Sequence, residues 1–185
     1  MGSDSVHAQL QRQLGATLWV VHRLDREVTG LLLFARTAAA HRTLSMAFES
    51  RSIHKQYEAW CEGQPTWQQA HFEDTLLRGK KRAYVHPAGK HAVTDAAVVG
   101  QASAGWTRIE LSPLTGRSHQ LRVHLANAEL PIAGDALYGA KTAFLPNEIA
   151  LRAVTLTVAA GVLGPTEVRL SAPGLDCRWP VNDRP

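Results

Sequence analysis

The number and order of short strand-forming segments constrain the fold of this chain more than any other sequence feature. Two segments fit helices, one over residues 38–50 behind a capping Thr37 and one over residues 117–129, which Pro131 ends. Seven further segments are short and rich in β-branched, aromatic or alternating apolar residues: 18–24, 31–35, 55–61, 93–99, 106–111, 154–158 and 167–170. Strands outnumber helices and do not alternate with them. The sequence therefore predicts an α+β fold with a mixed, mostly antiparallel sheet and flanking helices.

Turns and loops are expected between these elements. Gly30 and Gly116 mark turns at residues 28–30 and 115–116, residues 73–91 form a polar stretch, and residues 134–139 form a loop. The chain has 185 residues, 45% of them hydrophobic and 19% charged, and it contains no internal repeat or linker. These values predict one globular domain over residues 1–185 with a substantial core.

Composition also limits the class of protein. Cys61 and Cys177 lie far apart outside any CxxC pattern, which excludes a disulfide framework and a thiolate zinc cluster, and we expect both to pack rather than react. No apolar run reaches the roughly 20 residues that a membrane helix needs, and the polar N-terminus lacks a signal sequence. We therefore expect a cytoplasmic protein, and a monomer because no further module is evident.

The charge balance favours an anionic partner. The net charge is +4, and 15 of the 20 basic residues are arginine. Arginine presents a planar fork of donors that suits phosphates and base edges. Many proteins of this charge bind nothing acidic, so the balance raises the expectation of a nucleic acid without deciding it.

Two segments carry candidate catalytic or anion-binding groups. Asp25 lies between Arg23 and Arg26 where a strand meets a turn, so its carboxylate can be held ionised as a nucleophile or base. The alternative is a surface ion-pair cluster. Residues 115–124 place a glycine and several polar donors at the start of a helix, a pattern typical of an anion site. The alternative there is an amphipathic helix with a basic exposed face.

Two further segments fit contacts with RNA. Tyr57 on a strand could stack on a base while nearby basic side chains contact phosphates, although such a tyrosine is commonly part of a core. Residues 78–90 form a one-sidedly basic stretch that includes Lys80 and Lys81. A stretch of this kind suits phosphate contact by a loop, or it is the solvated tip of a hairpin.

Several other chemistries find no pattern here. His119 and His124 are five residues apart, which is not the i,i+4 spacing of a helical metal site, and no HExxH is present. The chain also has no GxSxG elbow, no GxGxxG fingerprint and no Walker A loop. We therefore expect no metal and no cofactor.

Four collinear segments together resemble the RluA-type pseudouridine synthases. They are HRLDREVTGLLLFAR (22–36), RSIHKQYEAWCEG (51–63), GKHAVTDAAVV (89–99) and LSPLTGRSHQLRVHLANAELPIAGDALYG (111–139). The resemblance runs from about Thr17 to about Pro173. It implies isomerisation of a uridine to pseudouridine in ribosomal or transfer RNA, with RNA held in a central cleft and without metal or cofactor.

The resemblance also implies roles for individual residues. Asp25 matches the essential catalytic aspartate, which attacks the nucleotide or deprotonates the sugar. Tyr57 matches the tyrosine that stacks on the target base, and Arg122 matches the arginine that pairs with the catalytic aspartate. Arg23 matches the residue that enters the space left by the flipped nucleotide.

The remaining candidate residues surround this set. Arg117, His119 and Gln120 are expected to contact RNA or to support the site. Lys80 and Lys81 are expected to reach phosphates at the rim of the cleft.

The chain departs from the family pattern in two places. Family members usually begin with a strand and a Lys-Pro loop about 30 residues ahead of the HRLD segment, whereas 21 residues precede His22 here. The chain also shows no S4-type RNA-binding domain, and we expect a catalytic domain shortened at its N-terminus. Second, Leu-Arg-Ala at 151–153 stands where the family often has Leu-His-Ala.

Two other functions remain open at this point. A non-catalytic RNA-binding protein or RNA-folding chaperone could keep the same scaffold, and it would bind RNA equally well after Asp25→Asn. A metal- or serine-dependent hydrolase would need a metal, or Ser118.

Overall fold

The computed structural model describes residues 5–102 and 105–175. The chain forms two compact units. The first comprises Met1–Leu24, Leu32–Ile53 and Thr157–Arg169, and the second comprises Asp25–Leu31, His54–Leu156 and Leu170–Pro185. In chain order the elements are α1 (Val6–Leu14), β1 (Trp19–Val20), β2 (Thr29–Gly30), β3 (Phe34–Ala35), α2 (Ala38–Glu49), β4 (Ile53–Glu62), β5 (Gln69–Arg78), β6 (Ala83–Val85), β7 (Lys90–Ala102), β8 (Trp106–Pro113), α3 (Gln120–Asn127), a short 3₁₀ helix (Ala136–Tyr138), β9 (Leu151–Val158) and β10 (Val168–Ser171).

The first unit contains two capped helices and a two-stranded ladder. Ser5 caps α1 by accepting a hydrogen bond from the Ala8 amide, and Thr37 caps α2 by accepting one from the Ala40 amide at 3.1 Å. β1 and β3 pair antiparallel. The helix predicted at 38–50 and its Thr37 cap are confirmed. α1 was missed because its segment is largely polar, and none of its residues is buried.

The strands predicted at 18–24 and 31–35 are too long. In the structure each contributes two residues to the ladder between β1 and β3. The reason lies at His22, whose Nε2 accepts a hydrogen bond of 2.9 Å from the Leu33 amide. A side chain has taken a backbone donor that a longer ladder would need. The turn predicted at 28–30 is displaced as well: the chain turns at 26–27, where the Val28 amide donates to the Asp25 carbonyl, and Thr29–Gly30 forms β2.

The second unit is built on the large sheet. Eight strands take part, in the order β10-β9-β4-β8-β7-β5-β6, with β2 paired to β9. Neighbours from β4 through β6 are antiparallel, whereas β2 runs parallel to β9. The predicted mixed, mostly antiparallel sheet of an α+β fold is confirmed.

Alternating side chains on β4 and β8 contribute to the buried core. Tyr57, Ala59 and Cys61 are buried on one face of β4, as the alternation predicts, and Ile109 and Leu111 are buried on β8. Burial raises the pKa of the Cys61 thiol, so it remains protonated and packs as an apolar group. Cys177 lies outside the described residues.

Two predictions in this unit are wrong in detail. The polar stretch at 73–91 is mostly strand, because part of the sheet leaves one face exposed: Glu73 points outward while Leu76 is buried. The helix predicted at 117–129 begins at Gln120, since His119 has a left-handed backbone (φ 54°), and it ends at Asn127 before Glu129 (φ 60°). The predicted loop at 134–139 contains the 3₁₀ turn.

No helix in the described part of the chain is both long enough and apolar enough to cross a membrane.

Candidate active site

Backbone contacts with β9 and the residues before it fix the loop that carries Asp25. The Ile149 amide donates to the Glu27 carbonyl, and the Leu31 amide donates to the Ala153 carbonyl, each at 3.0 Å. Gly30 has φ 111°, and a Cβ added there would lie 2.2 Å from the Ala153 carbonyl oxygen. Glycine is required at this close approach, and the approach fixes the Asp25–Leu31 loop against β9.

Arg122 on α3 is the centre of the charged cluster beside Asp25. Its Nε and Nη2 atoms each donate a 2.7 Å hydrogen bond to the two carboxylate oxygens of Asp135. Its Nη1 atom donates to Glu27 at 3.3 Å and lies 3.8 Å from Asp25 Oδ2. Arg122 and Asp25 are therefore within ion-pair distance, while Asp135 holds the guanidinium through a bidentate pair.

Burial differs sharply among the three carboxylates around Arg122. The side chain of Asp135 is 1% exposed, that of Asp25 is 20% exposed and that of Glu27 is 40% exposed. Burial by itself lowers the pKa of Arg122, but the hydrogen bonds and charge of Asp135, with Asp25 and Glu27, outweigh it and raise the pKa. Arg122 is a fixed cation, and Asp25 and Glu27 are the partly exposed carboxylates beside it.

Tyr57 is a buried, protonated phenol near Asp25. Burial, followed by the negative charge of Asp25, raises the pKa of Tyr57 to about 12. A neutral aromatic ring offers an apolar surface on which a nucleobase can stack. This placement suits the predicted stacking role, which stays a prediction.

Tyr138 connects Arg122, His119 and the strand β6. The Arg122 guanidinium lies over the Tyr138 ring, with 5.1 Å between Cζ and the ring centroid. The Tyr138 hydroxyl is 2.9 Å from His119 Nδ1, 2.9 Å from the Ala83 amide nitrogen and 3.0 Å from the Ala83 carbonyl oxygen. The site therefore continues to the base of the hairpin that β5 and β6 form.

Gln120 is buried and fully used by internal hydrogen bonds. Its Nε2 atom donates to the Val93 carbonyl and to Thr94 Oγ1, and its Oε1 atom accepts from Thr115 Oγ1 and the Arg117 amide. Of the two roles expected for Gln120, this geometry favours support over RNA contact. Arg117 is exposed, and its Nε atom donates to the His91 carbonyl at 2.8 Å.

The remaining predicted site residues lie at the surface. Lys80 and Lys81 are exposed in the turn between β5 and β6, which the Gly79 amide closes by donating to the Arg82 carbonyl. Arg23 is exposed and belongs to the first unit. The structure thus groups Asp25, Tyr57, Arg122 and His119 in the second unit, and the other predicted residues are supporting or exposed.

Sequence reasoning missed Glu27, Asp135 and Tyr138. A signal existed for Asp135, because it is an acidic residue within the otherwise apolar stretch 130–138 and a buried carboxylate needs a cation. Spacing could not show which cation, since Arg122 and Asp135 meet through the fold. Among the described residues, no group of three or more His, Cys, Asp or Glu side chains is placed to hold a metal ion.

Known proteins share this sequence pattern and this fold. The sequence model of the RNA pseudouridylate synthase family matches residues 3–127, which include Asp25, Tyr57 and Arg122. The chain belongs to this family. One solved relative of the fold, human RNA Pseudouridylate Synthase Domain Containing 1, superposes with a TM-score of 0.79 at 25% sequence identity, over 95% of this chain and 78% of that one.

Bacterial family members are similar in sequence over most of the chain. Ribosomal large subunit pseudouridine synthase D of Yersinia pestis is 39% identical over 124 residues, which are 66% of this chain and 38% of that protein. Dual-specificity RNA pseudouridine synthase RluA of Escherichia coli (strain K12) is 36% identical over 160 residues, which are 84% of this chain and 73% of that protein. The matched part of the present chain therefore spans well under half the length of the Yersinia pestis relative.

Proposed function

We propose that this family member is an RNA pseudouridine synthase that uses Asp25 to isomerise specific uridines in ribosomal or transfer RNA. The observation that carries the proposal is the Asp25 carboxylate set beside Arg122, whose own position is locked by buried Asp135. Family membership and the names of the two bacterial relatives, both RNA pseudouridine synthases, support it.

The reaction breaks the C1′–N1 glycosidic bond, turns the uracil and rejoins it through C5. Asp25, whose carboxylate lies beside a fixed cation, supplies the group that attacks the nucleotide or takes a proton from the sugar. Arg122 orients that carboxylate and balances its charge. Tyr57 supplies a stacking surface for the base once it has left the RNA stack.

Binding of RNA is assigned to the exposed basic residues. Lys80 and Lys81 reach phosphates from the β5–β6 turn, and Arg117 contacts RNA near α3. Arg23 fills the space left by the extruded nucleotide. The proposed reaction requires no metal and no cofactor. The protein would act as a monomeric catalytic domain in the cytoplasm.

Tritium release from RNA labelled at uridine C5 tests the proposal, because rejoining through C5 expels the hydrogen there. The substrates are bulk unmodified ribosomal RNA and bulk unmodified transfer RNA. Wild type is expected to release tritium from at least one of them and to show which RNA class to map. Asp25→Asn is expected to release none above background while retaining RNA affinity in a filter-binding assay.

Asp95→Asn is the matched control. It makes the same chemical change at a half-exposed aspartate whose carboxylate pairs with His71. It is expected to release tritium at the wild-type rate. The proposal would be overturned if the folded wild type releases no tritium from either RNA and Asp25→Asn still binds RNA. Those results would favour a non-catalytic RNA-binding protein.

A further inference from the structure

The hydrogen bonds of Tyr138 fix the protonation of the His119 ring. A phenol has one proton to donate, and the Ala83 carbonyl, 3.0 Å away, can only accept it. The Ala83 amide can only donate, so it uses one lone pair of the phenol oxygen. His119 Nδ1, 2.9 Å from the same oxygen, must then be the donor. In the neutral ring this leaves the lone pair on Nε2.

The Nε2 atom is available for a ligand. It makes no hydrogen bond to any residue in the ranges 5–102 and 105–175, and the His119 side chain is partly exposed. The backbone at His119 is left-handed (φ 54°), a conformation that non-glycine residues adopt at a cost and that recurs at functional sites. His119 directly precedes α3, one turn ahead of Arg122.

Partial burial is the main reason that the His119 ring stays neutral. Partial burial lowers the pKa of His119, the negative charge of Asp25 raises it, Arg122 and Arg78 lower it, and Glu27 raises it. The net pKa lies below the ordinary histidine value of 6.5. At neutral pH, Nε2 therefore carries a free lone pair, on a ring close enough to Asp25 for the carboxylate charge to affect its pKa.

Tyr57 is a poor alternative as a base. With a pKa of about 12, the fraction of Tyr57 in the phenolate form at pH 7 is about 10⁻⁵. In the proposed function, Asp25 acts earlier, on the nucleotide or its sugar. The reaction still needs an acceptor for the hydrogen on C5.

We propose that His119 Nε2 is the general base that removes the C5 proton of the rejoined base. This inference rests on the proposed function. After C5 bonds to C1′, that carbon carries both the new bond and its original hydrogen. Nε2 takes the proton, and the C–H electron pair re-forms the C5=C6 double bond. The electrons of the C6=N1 bond move to N1, which takes a proton from water, and the imidazolium returns its own proton to water.

Substitution of His119 by asparagine removes the base while keeping its surroundings. Asparagine tolerates the left-handed backbone, and its amide nitrogen can replace Nδ1–H as donor to Tyr138. Loss of a general base costs about 10²- to 10⁴-fold in rate. We expect kcat to fall within that range with KM nearly unchanged, and a primary deuterium isotope effect at C5 to appear because proton removal becomes rate-limiting.

His71→Asn is the matched control, since that ring pairs with Asp95 and Glu73 and with no candidate site residue. It should leave kcat and the isotope effect at their wild-type values. If His119→Asn does not fold, His119→Gln is expected to give the same result. Wild type provides a further test without substitution: its C5 isotope effect should rise as pH falls below 6.5 and His119 becomes protonated.

The outcomes separate the two proposals. If wild type turns over and depends on Asp25, but neither His119 variant nor low pH raises the C5 isotope effect, His119 is not the base and the proposed function stands. If wild type produces no pseudouridine, both proposals fail. A loss in the variants that is confined to RNA affinity also overturns the inference.

Discussion

The Arg122 guanidinium and the Asp135 carboxylate share two hydrogen bonds of 2.7 Å, and both side chains are almost completely buried. Such a pair leaves Arg122 no freedom to rotate, so its third nitrogen stays aimed at Glu27 and Asp25. Asp25 can then remain partly exposed and still have a fixed cation beside it. The buried carboxylate fixes the cation, so the candidate site is held in place while a second carboxylate beside it stays partly exposed.

Asp135→Asn should destabilise the protein and impair the site. The substitution removes the buried partner of a buried cation, which costs about 3 kcal/mol in the free energy of unfolding. Urea denaturation measures this loss. Asp95→Asn, whose partner His71 is about half exposed, is the control and should cost much less, because an exposed ion pair contributes little to stability. Equal losses in the two variants would contradict the importance of the Asp135 pair.

Gly30→Ala should be more damaging than an ordinary glycine substitution. The new Cβ would lie 2.2 Å from the Ala153 carbonyl oxygen, so β2 or β9 must move, at a cost of about 3 kcal/mol. Gly15→Ala is the matched control, because Gly15 also has a positive φ but no atom lies within 4 Å of the added Cβ. This variant should lose about 1 kcal/mol in the free energy of unfolding. Thermal or urea unfolding compares them, and a smaller loss at Gly30 would show that the approach of β2 to β9 is not tight.

Lys80→Ala combined with Lys81→Ala should weaken RNA binding without regard to sequence. Each lysine that neutralises a phosphate of a single strand contributes about 0.7 to the slope of log affinity against log salt, so the double variant should flatten it by up to about 1.4. Fluorescence anisotropy over a salt series measures the slope. Lys141→Ala, at another exposed lysine, is the control. An unchanged slope would remove the β5–β6 turn from the RNA interface.

His124 should make the protein less stable in mild acid. Its side chain is fully buried, and burial lowers its pKa, with a smaller opposing effect from Asp74. Below pH 6.5 the unfolded chain binds a proton that the folded protein resists, so stability falls with pH until the lowered folded-state pKa is reached. One such proton changes stability by at most about 1.4 kcal/mol per pH unit.

Urea denaturation at pH 7.5 and pH 5.5 isolates this effect. His124→Asn should be less stable than wild type at both values but should lose less between them. His86→Asn, at an exposed histidine, should keep the wild-type difference. A His124 variant with the full wild-type loss between the two pH values would assign the acid sensitivity to other groups.

Local patterns predicted the parts of the fold that local physics decides. The alternation in β4 placed Tyr57, Ala59 and Cys61 on one buried face, and the Thr37 cap located α2 within a residue. Predictions from local patterns were wrong where a side chain bonds a backbone amide or where the backbone adopts a left-handed conformation. The His22 ring bonds the Leu33 amide, so the ladder of β1 and β3 is shorter than predicted. The left-handed backbone of His119 makes α3 begin three residues later than predicted, at Gln120.

The sequence by itself determined the family, the α+β class and the residues that carry the candidate chemistry, because collinear motifs and side-chain periodicity are properties of the chain. Tertiary structure decided how those residues act. It brought Asp135 to Arg122 and Tyr138 to His119, separated by 13 and 19 positions, and it left Asp25 partly exposed beside Arg122. Ion pairs, burial and the choice of a histidine tautomer depend on which groups the folded chain brings within a few ångströms, and no linear spacing encodes that proximity.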